Sequence, residues 1–273
     1  LTRHQISHDA RSFHEMAVQD ASRGGSWLRT ATRMAVLVLL CAAALQVAFA
    51  LRIAAMRFVD PASTAFQRSE AWRLTHRDAS LRTWRRQWVD LPQITPHLQR
   101  AVIASEDADF AHHGGVDWAS VEAAWERNQR TQARLHNDAA KRSARASAGS
   151  TRLVGGSTIS QQLAKNLFLS GERTVTRKAQ EFMITMMLEA LLPKRRLLEI
   201  YLNSVEWGEG VFGAEAAAQR HFRTAASRLT PAQAARLSVM LPAPKRYEKQ
   251  IRSPYLDGRT TTIIARMGAV DLP

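Results

Sequence analysis

The feature that most constrains this chain is the run Met34–Leu51, eighteen residues in which only Gln46 is polar. As a helix it would reach roughly 27 Å, about the hydrocarbon thickness of a bilayer. Core helices of soluble proteins are seldom apolar all round over such a length, so the run is expected to be a transmembrane anchor. Ala48-Phe49-Ala50 has the pattern of a signal-peptidase site and offers the alternative of a cleaved signal. The leader of 33 residues and the length of the run favour the uncleaved anchor. Arg29 and Arg33 precede the run, with Arg3, Arg11 and Arg23 further upstream. Basic residues are retained on the cytoplasmic side. Residues 1–33 are therefore expected to be a cytoplasmic leader and 34–51 a single span, with 52–273 exported. Arg52 and Arg57 follow directly, so the charge asymmetry is modest. Cys41, the one cysteine, lies inside the run, which excludes an intramolecular disulfide and a multi-Cys zinc site.

The chain carries 38 Lys and Arg against 24 Asp and Glu, a formal charge of +14. Such a charge calls for an acidic partner: nucleic acid, anionic lipid or a phosphorylated substrate. An apolar content of 45% excludes a disordered chain. Past the span, apolar residues recur at helical spacing through Leu98–Ile103, Ile159–Leu169, Phe182–Leu192 and Leu197–Leu202, and strand-like alternation is scarce. The exported part is therefore expected to be mostly α. Trp72, Trp84 and Trp88 alternate with Arg73, Arg77, Arg82, Arg85 and Arg86, which beside a span suggests a membrane interface; amphipathic packing is the plainer alternative. Residues 127–152 hold seven Lys and Arg with Asp138 as the sole acid and read as a mobile basic loop.

Four stretches are denser in polar residues than a stable fold requires. In the first, an apolar helical segment ends in Glu106-Asp107. A carboxylate there can be partly desolvated, and desolvation raises its pKa toward that of a useful base. Asp107-Ala-Asp109 has the form of a metal-binding Asp-x-Asp, and His112 and His113 could serve as ligands, although structural roles are commoner for all of these. The second, Gly155-Gly-Ser-Thr-Ile-Ser-Gln-Gln-Leu-Ala-Lys-Asn166, is a glycine turn entering a helix. Thr158 and Gln161 have capping-box spacing, so the helix is expected to start at Thr158 with its free N–H groups turned toward phosphate oxygens. Gln161 and Lys165 would share a face. The third sets Arg173, Arg177 and Lys178 around Glu181, a polyanion site in which the glutamate stays ionised. The fourth, Lys194-Arg-Arg-Leu-Leu-Glu-Ile-Tyr-Leu-Asn203, leads into a glycine-rich segment whose spacing is not that of a dinucleotide fingerprint. Together these imply chemistry on a pyrophosphate at a membrane.

In this order the stretches resemble the conserved blocks of the peptidoglycan glycosyltransferases, found in class A penicillin-binding proteins and in monofunctional membrane-anchored enzymes. The carrying residues are Glu106-Asp107-x-x-Phe110-x-x-His113-x-Gly115-x-Asp117, the block 155–166, Arg173 with Arg177-Lys178-x-x-Glu181, and Lys194-x-x-Leu-Leu-Glu-x-Tyr-Leu-Asn203. The likeness runs from about Pro92 to the C-terminus. The chain contains no Ser-x-x-Lys of the kind a transpeptidase uses, so the monofunctional form is expected. The resemblance implies a lysozyme-like fold with a head lobe and a membrane-facing jaw. The expected plan is a membrane-proximal linker and jaw over 52–92 and a glycosyltransferase domain over 93–273. It implies polymerisation of lipid II by inverting transfer, with release of undecaprenyl pyrophosphate, in cell-wall biogenesis and the upkeep of cell shape.

By the same resemblance Glu106 is the general base. Glu181 orients the cations and is a site for a divalent ion, Mg2+ or Mn2+, with no tightly bound cofactor otherwise. Lys165, Arg173, Arg177 and Lys178 bind the pyrophosphate. Ser157, Gln161, Gln162 and Asn166 line the cleft, while Glu199 and Asn203 shape its wall. Implied partners are lipid II, the nascent glycan chain, membrane lipid, and other cell-wall synthases or division proteins. The expected location is the cytoplasmic (inner) membrane, with the catalytic domain on the periplasmic side. Residues 127–152 look like an addition to the family pattern that would hold the adjoining loop near anionic lipid. A wall-cleaving enzyme of similar fold would need no pyrophosphate site, and a basic scaffold would need no Glu106. Nucleic acid is excluded as a partner for an exported chain.

Overall fold

A computed structural model describes residues 3–77, 84–118, 122, 126, 129, 157–169, 171–172, 174–250 and 253–273, with the backbone alone for 3–26 and 28. The chain divides into two compact units, Leu1–Arg52 and Ile53–Pro273. The first is part of one long helix, α1 (Arg3–Ala55). Within it Arg29–Ala55 is long and apolar enough to cross a membrane, and none of its most apolar stretch is buried against protein. A helix that exposes Leu37, Val38, Leu39 and Leu40 would incur a large hydrophobic penalty in water, about 25 cal/mol per Å² of apolar surface.

The second unit is mostly α-helical, and its helix starts are written locally. α2 covers Ala65–Arg77. α3 (Pro96–Glu106) begins with Pro at its first position behind Thr95, whose side chain accepts from His97 N. α4 (Ile159–Phe168) starts on the capping box of Thr158 and Gln161, as their spacing predicts. α5 (Val175–Leu191) is capped by Thr174, and α6 (Lys194–Ser204) follows Pro193. α7 (Ala214–Phe222), α8 (Pro231–Met240), the short α9 (Pro244–Tyr247) and α10 (Pro254–Met267) complete the order. α3, α8 and α10 pack on one another, while α4 packs on α2, α5 and α6. Leu98, Ile103, Ile159, Leu163, Leu167, Ile184, Leu197 and Tyr201 are fully buried between them.

The glycine-rich segment folds into a small sheet that the sparse alternation did not reveal. β2 (Glu206–Gly208) pairs antiparallel with β3 (Val211–Phe212), and β1 (Arg85–Arg86) pairs parallel with β3, in the order β1-β3-β2. Strands of two or three residues are too short to show a period. Gly213 has φ 89°, and a Cβ there would lie 3.1 Å from the Asn203 carbonyl, so the turn into α7 admits only glycine without strain.

The sheet also revises the Trp–Arg segment. Trp84 packs on Phe212 at 4.9 Å between ring centroids, and the Arg196 guanidinium sits 5.6 Å from the Trp88 ring. Only Trp72 of the three is exposed, at 68%. For Trp84 and Trp88 packing is the correct reading, because a two-residue strand must find its hydrophobic cover in its flanks. The basic stretch 127–152 falls almost wholly outside the described residues, as do Gly155, Gly156 and Arg173.

Candidate functional site

α3 buries Leu98, Val102 and Ile103 along one face and delivers Glu106 at its last turn. The Gln162 Nε2 donates to Glu106 Oε2 at 3.0 Å, and Ser105 Oγ donates to Oε1 at 3.3 Å. Gln162 does not choose this orientation alone. The Tyr201 hydroxyl, from the fully buried Tyr201 of α6, donates to Gln162 Oε1 at 2.9 Å. A phenol donor on the amide oxygen leaves the amide nitrogen facing the carboxylate. Burial raises the Glu106 pKa above the usual carboxylate range, while the hydrogen bonds from Gln162 and Ser105 pull it down and Asp107 adds a smaller upward push. The result is a desolvated carboxylate held in one orientation and able to accept a proton.

The neighbouring Asp107 does something different. Its Oδ2 accepts from Ile159 N at 2.9 Å, the first turn of α4, and its Oδ1 pairs with His113 Nε2 at 2.7 Å. His113 Nδ1 accepts from Gly115 N at 3.1 Å, which assigns the ring proton to Nε2. Thr158 Oγ1 closes the loop by donating to the Gly115 carbonyl at 2.7 Å. Gly115 has φ 94°, and a Cβ there would meet Glu189 Cγ at 2.9 Å, so no other residue fits without displacement. This latch fastens the end of α3 to the start of α4 and so sets Glu106 against Gln162. It also corrects two expectations. Asp107 is a strut, not a metal ligand of an Asp-x-Asp pair. The α4 N-terminus is taken by Asp107 and the capping box, so it is not open to a phosphate.

Cations collect on the other side of Gln162. A cavity of about 840 Å³ is lined by Gln162, Lys165, Asn166 and Arg177, with Phe66, Glu70 and Glu206 among its other walls. Lys165 has its pKa lowered by desolvation, with Glu181 opposing that and Arg177 and Lys178 adding to it. A bound anion would favour its charged form. Arg177 donates to Glu181 Oε2 at 2.7 Å, and Lys178 Nζ binds the other oxygen. Among the described residues no acceptor reaches the buried Arg177 Nε.

The expected site residues therefore separate. Gln162, Lys165, Asn166 and Arg177 share the cleft, with Glu106 bonded to Gln162 from behind. Gln161 does not line it: its side chain is spent on the cap, bonding Thr158 N at 3.4 Å. The shared cleft face is Gln162 with Lys165 and Asn166, one residue round from the expected Gln161. Ser157 is exposed and contributes its carbonyl to Gln162 Nε2 at 3.3 Å. Lys178 is exposed beside the buried Glu181. Arg173 lies outside the described residues. Glu181 gives both oxygens to Arg177 and Lys178, and among the described residues no group of three His, Cys, Asp or Glu is arranged for a metal ion. The described residues thus offer no protein-built seat for the divalent ion implied at Glu181. Glu199 accepts from Leu91 N at 2.9 Å, and Asn203 clasps Val89 N and O at 3.0 and 2.9 Å; both hold the chain leading into α3.

Tyr201 carried no separate functional signal in the sequence, and the joining of Asp107, His113 and Thr158 into a latch was not legible there, although all lie inside the matching blocks. Glu70, Glu206 and Lys245 lie outside those blocks altogether and meet at the cleft wall.

Residues 74–268 match the family described as Transglycosylase. A protein of Burkholderia thailandensis named biosynthetic peptidoglycan transglycosylase is 50% identical over 230 residues, which cover 84% of this chain and 82% of that protein. A protein of the same name from Bordetella pertussis is 44% identical over 248 residues, covering 91% of this chain and 96% of that one. Another from Cupriavidus metallidurans is 50% identical over 235 residues, covering 84% and 93%.

Proposed function

The chain belongs to the biosynthetic peptidoglycan transglycosylase family of cell-wall synthesis, and from that premise we propose that it polymerises lipid II into glycan strands by inverting transfer, releasing undecaprenyl pyrophosphate. The observation that carries this reading is Gln162, which lines the cleft with the cations Lys165 and Arg177 and bonds the desolvated carboxylate of Glu106 behind it. Direct displacement needs a base on the attacking side and charge neutralisation on the departing side. Glu106 takes the proton of the acceptor 4-hydroxyl as its oxygen bonds to the anomeric carbon of the donor. The bond from that carbon to pyrophosphate breaks on the opposite face. Lys165 and the Arg177 guanidinium receive the developing charge, with Arg173 assigned to the same task by resemblance. Glu181 holds Arg177 and Lys178 in place. The apolar helix Arg29–Ala55 and the exposed Phe58, Val59 and Trp72 support a seat on membrane lipid. The basic leader supports a cytoplasmic N-terminus, with the catalytic unit on the periplasmic face.

The test is incubation of the purified full chain with lipid II in detergent, with glycan products separated on a gel. Wild type is expected to form polymer, and Lys165→Met to slow it about 100-fold, the typical loss on removing one group that stabilises a developing anion. Absence of polymer from wild type across a panel of detergents and divalent ions would overturn the reading.

Tyr201 is a positioning residue in this scheme. Tyr201→Phe frees the Gln162 amide to turn, and Glu106 then loses a hydrogen bond that favours its ionised form. The Glu106 pKa should rise further, moving the acid limb of the rate profile to higher pH. Turnover on the acid limb should fall more than on the plateau above it. An unshifted limb would remove Tyr201 from the scheme, because a packing defect alone lowers the rate equally at both.

A further inference from the structure

Two carboxylates line the same cleft without belonging to the catalytic blocks: Glu70 on α2 and Glu206 on β2. Lys245 of α9 lies between them, its Nζ 2.5 Å from Glu70 Oε2 and 3.4 Å from Glu206 Oε1. Arg73 also holds Glu70, at 2.8 Å, and reaches Glu209 at 2.8 Å. Glu70 is thus matched by two cations. Glu206 is not. Its side chain is 6% exposed, yet among the described residues Oε1 has two long contacts, Lys245 at 3.4 Å and Gly210 N at 3.3 Å. Among the described residues no donor reaches Oε2. A carboxyl so buried ordinarily satisfies both oxygens, and Glu206 is one of the residues that line the cavity.

The chemistry of the wall narrows what could bind. Burial pushes the Glu206 pKa up to about 7, with Lys245 opposing and Glu70 adding to the rise. Near neutrality such a carboxyl both donates and accepts hydrogen bonds. It suits neutral hydroxyl and amide groups, and it repels phosphate, for which the cleft already provides Lys165 and Arg177. Phe66, Val205, Leu241 and Pro244 supply apolar surface around it, the usual mix in a site for a small polar ligand.

We propose that Glu206, steadied by Lys245 and Glu70, forms a saccharide subsite that binds the neutral hydroxyl or acetamido groups of a sugar in the cleft. The inference rests on the glycosyl-transfer reading and adds the part of the substrate that this wall recognises. The sugar belongs to the donor chain or to the acceptor unit, and the two share this chemistry.

Two probes and two variants test it on the full-length chain in detergent. The probes are lipid II with a shortened prenyl chain and the same prenyl pyrophosphate without sugar, titrated by tryptophan fluorescence. Glu206→Met keeps the side-chain volume and removes a buried carboxyl, so the fold should hold. It should weaken the sugar-bearing probe about tenfold, the loss of roughly one good hydrogen bond, and leave the sugar-free probe unchanged. Glu206→Gln keeps a donor and an acceptor and should recover most of the lost affinity. Equal weakening of both probes, or of neither, overturns the subsite, and a Gln variant as weak as the Met variant overturns its hydrogen-bonding role. In polymerisation assays, a raised KM for a preformed glycan strand assigns the sugar to the donor, and a raised KM for the lipid II monomer assigns it to the acceptor. If wild type prefers the sugar-bearing probe but makes no polymer, the transfer reading fails while the subsite stands.

Discussion

Glu106→Gln is expected to reduce lipid II polymerisation by about 10²- to 10⁴-fold, the range over which a positioned general base accelerates a reaction. The substitution preserves volume and leaves a partner for Gln162, since the new amide can present its oxygen to Gln162 Nε2, so binding and folding should survive. The loss should appear in kcat, because the base acts only as the acceptor hydroxyl gives up its proton. A second signature follows from burial. Glu106 must be ionised to work, and desolvation raises its pKa. The wild-type rate should therefore climb with pH through a range above that of an ordinary carboxylate, and the Gln variant should lack that climb. Glu181→Gln should behave differently, weakening substrate binding, since Arg177 and Lys178 lose the carboxylate that places them. Comparison of kcat and KM for the two variants checks the division of roles. A Glu106→Gln enzyme within tenfold of wild type would reject Glu106 as the base.

The largest effect on stability is expected from Asp107→Ala. The change strands the Ile159 N–H and His113 Nε2 in the interior. Each buried polar group left without its partner costs roughly 1–3 kcal/mol. For a unit of this size each kcal/mol lowers Tm by about 2–4 °C, so with two such groups a fall of at least about 4 °C is expected in a thermal melt followed by tryptophan emission. Asp107→Asn keeps one acceptor and should lose about half as much. Activity should fall with stability, because the latch sets the start of α4 and with it the Gln162 contact to Glu106. A melt unchanged within about 2 °C would show that the latch holds little.

Much of the fold was legible because helices are local objects. The capping box of Thr158 and Gln161 and the apolar spacing placed α3, α4 and α6 to within a few residues and marked the C-terminal half of α5. The sheet was not, since strands of two and three residues carry no period, and neither was the fate of Trp84 and Trp88, which depends on Phe212 and Arg196 far along the chain. The site divided in the same way. Glu106, Lys165, Arg177 and Glu181 were readable as residue types in blocks. That Gln162 and not Gln161 faces the cleft, and that the α4 N-terminus is closed by Asp107, was not.

By itself the sequence determined the apolar span, the helical class, the family and the identities of the charged residues in its blocks, because each is a matter of composition or of spacing within one or two turns. The tertiary structure alone decided which of those groups are paired and which are left open. Asp107 meets Ile159 across 52 residues, Tyr201 meets Gln162 across 39, and Lys245 meets Glu70 across 175. Such contacts arise from the packing of whole helices, and so does the burial that raises the pKa of Glu106 and sets Glu206 in the wall of the cleft.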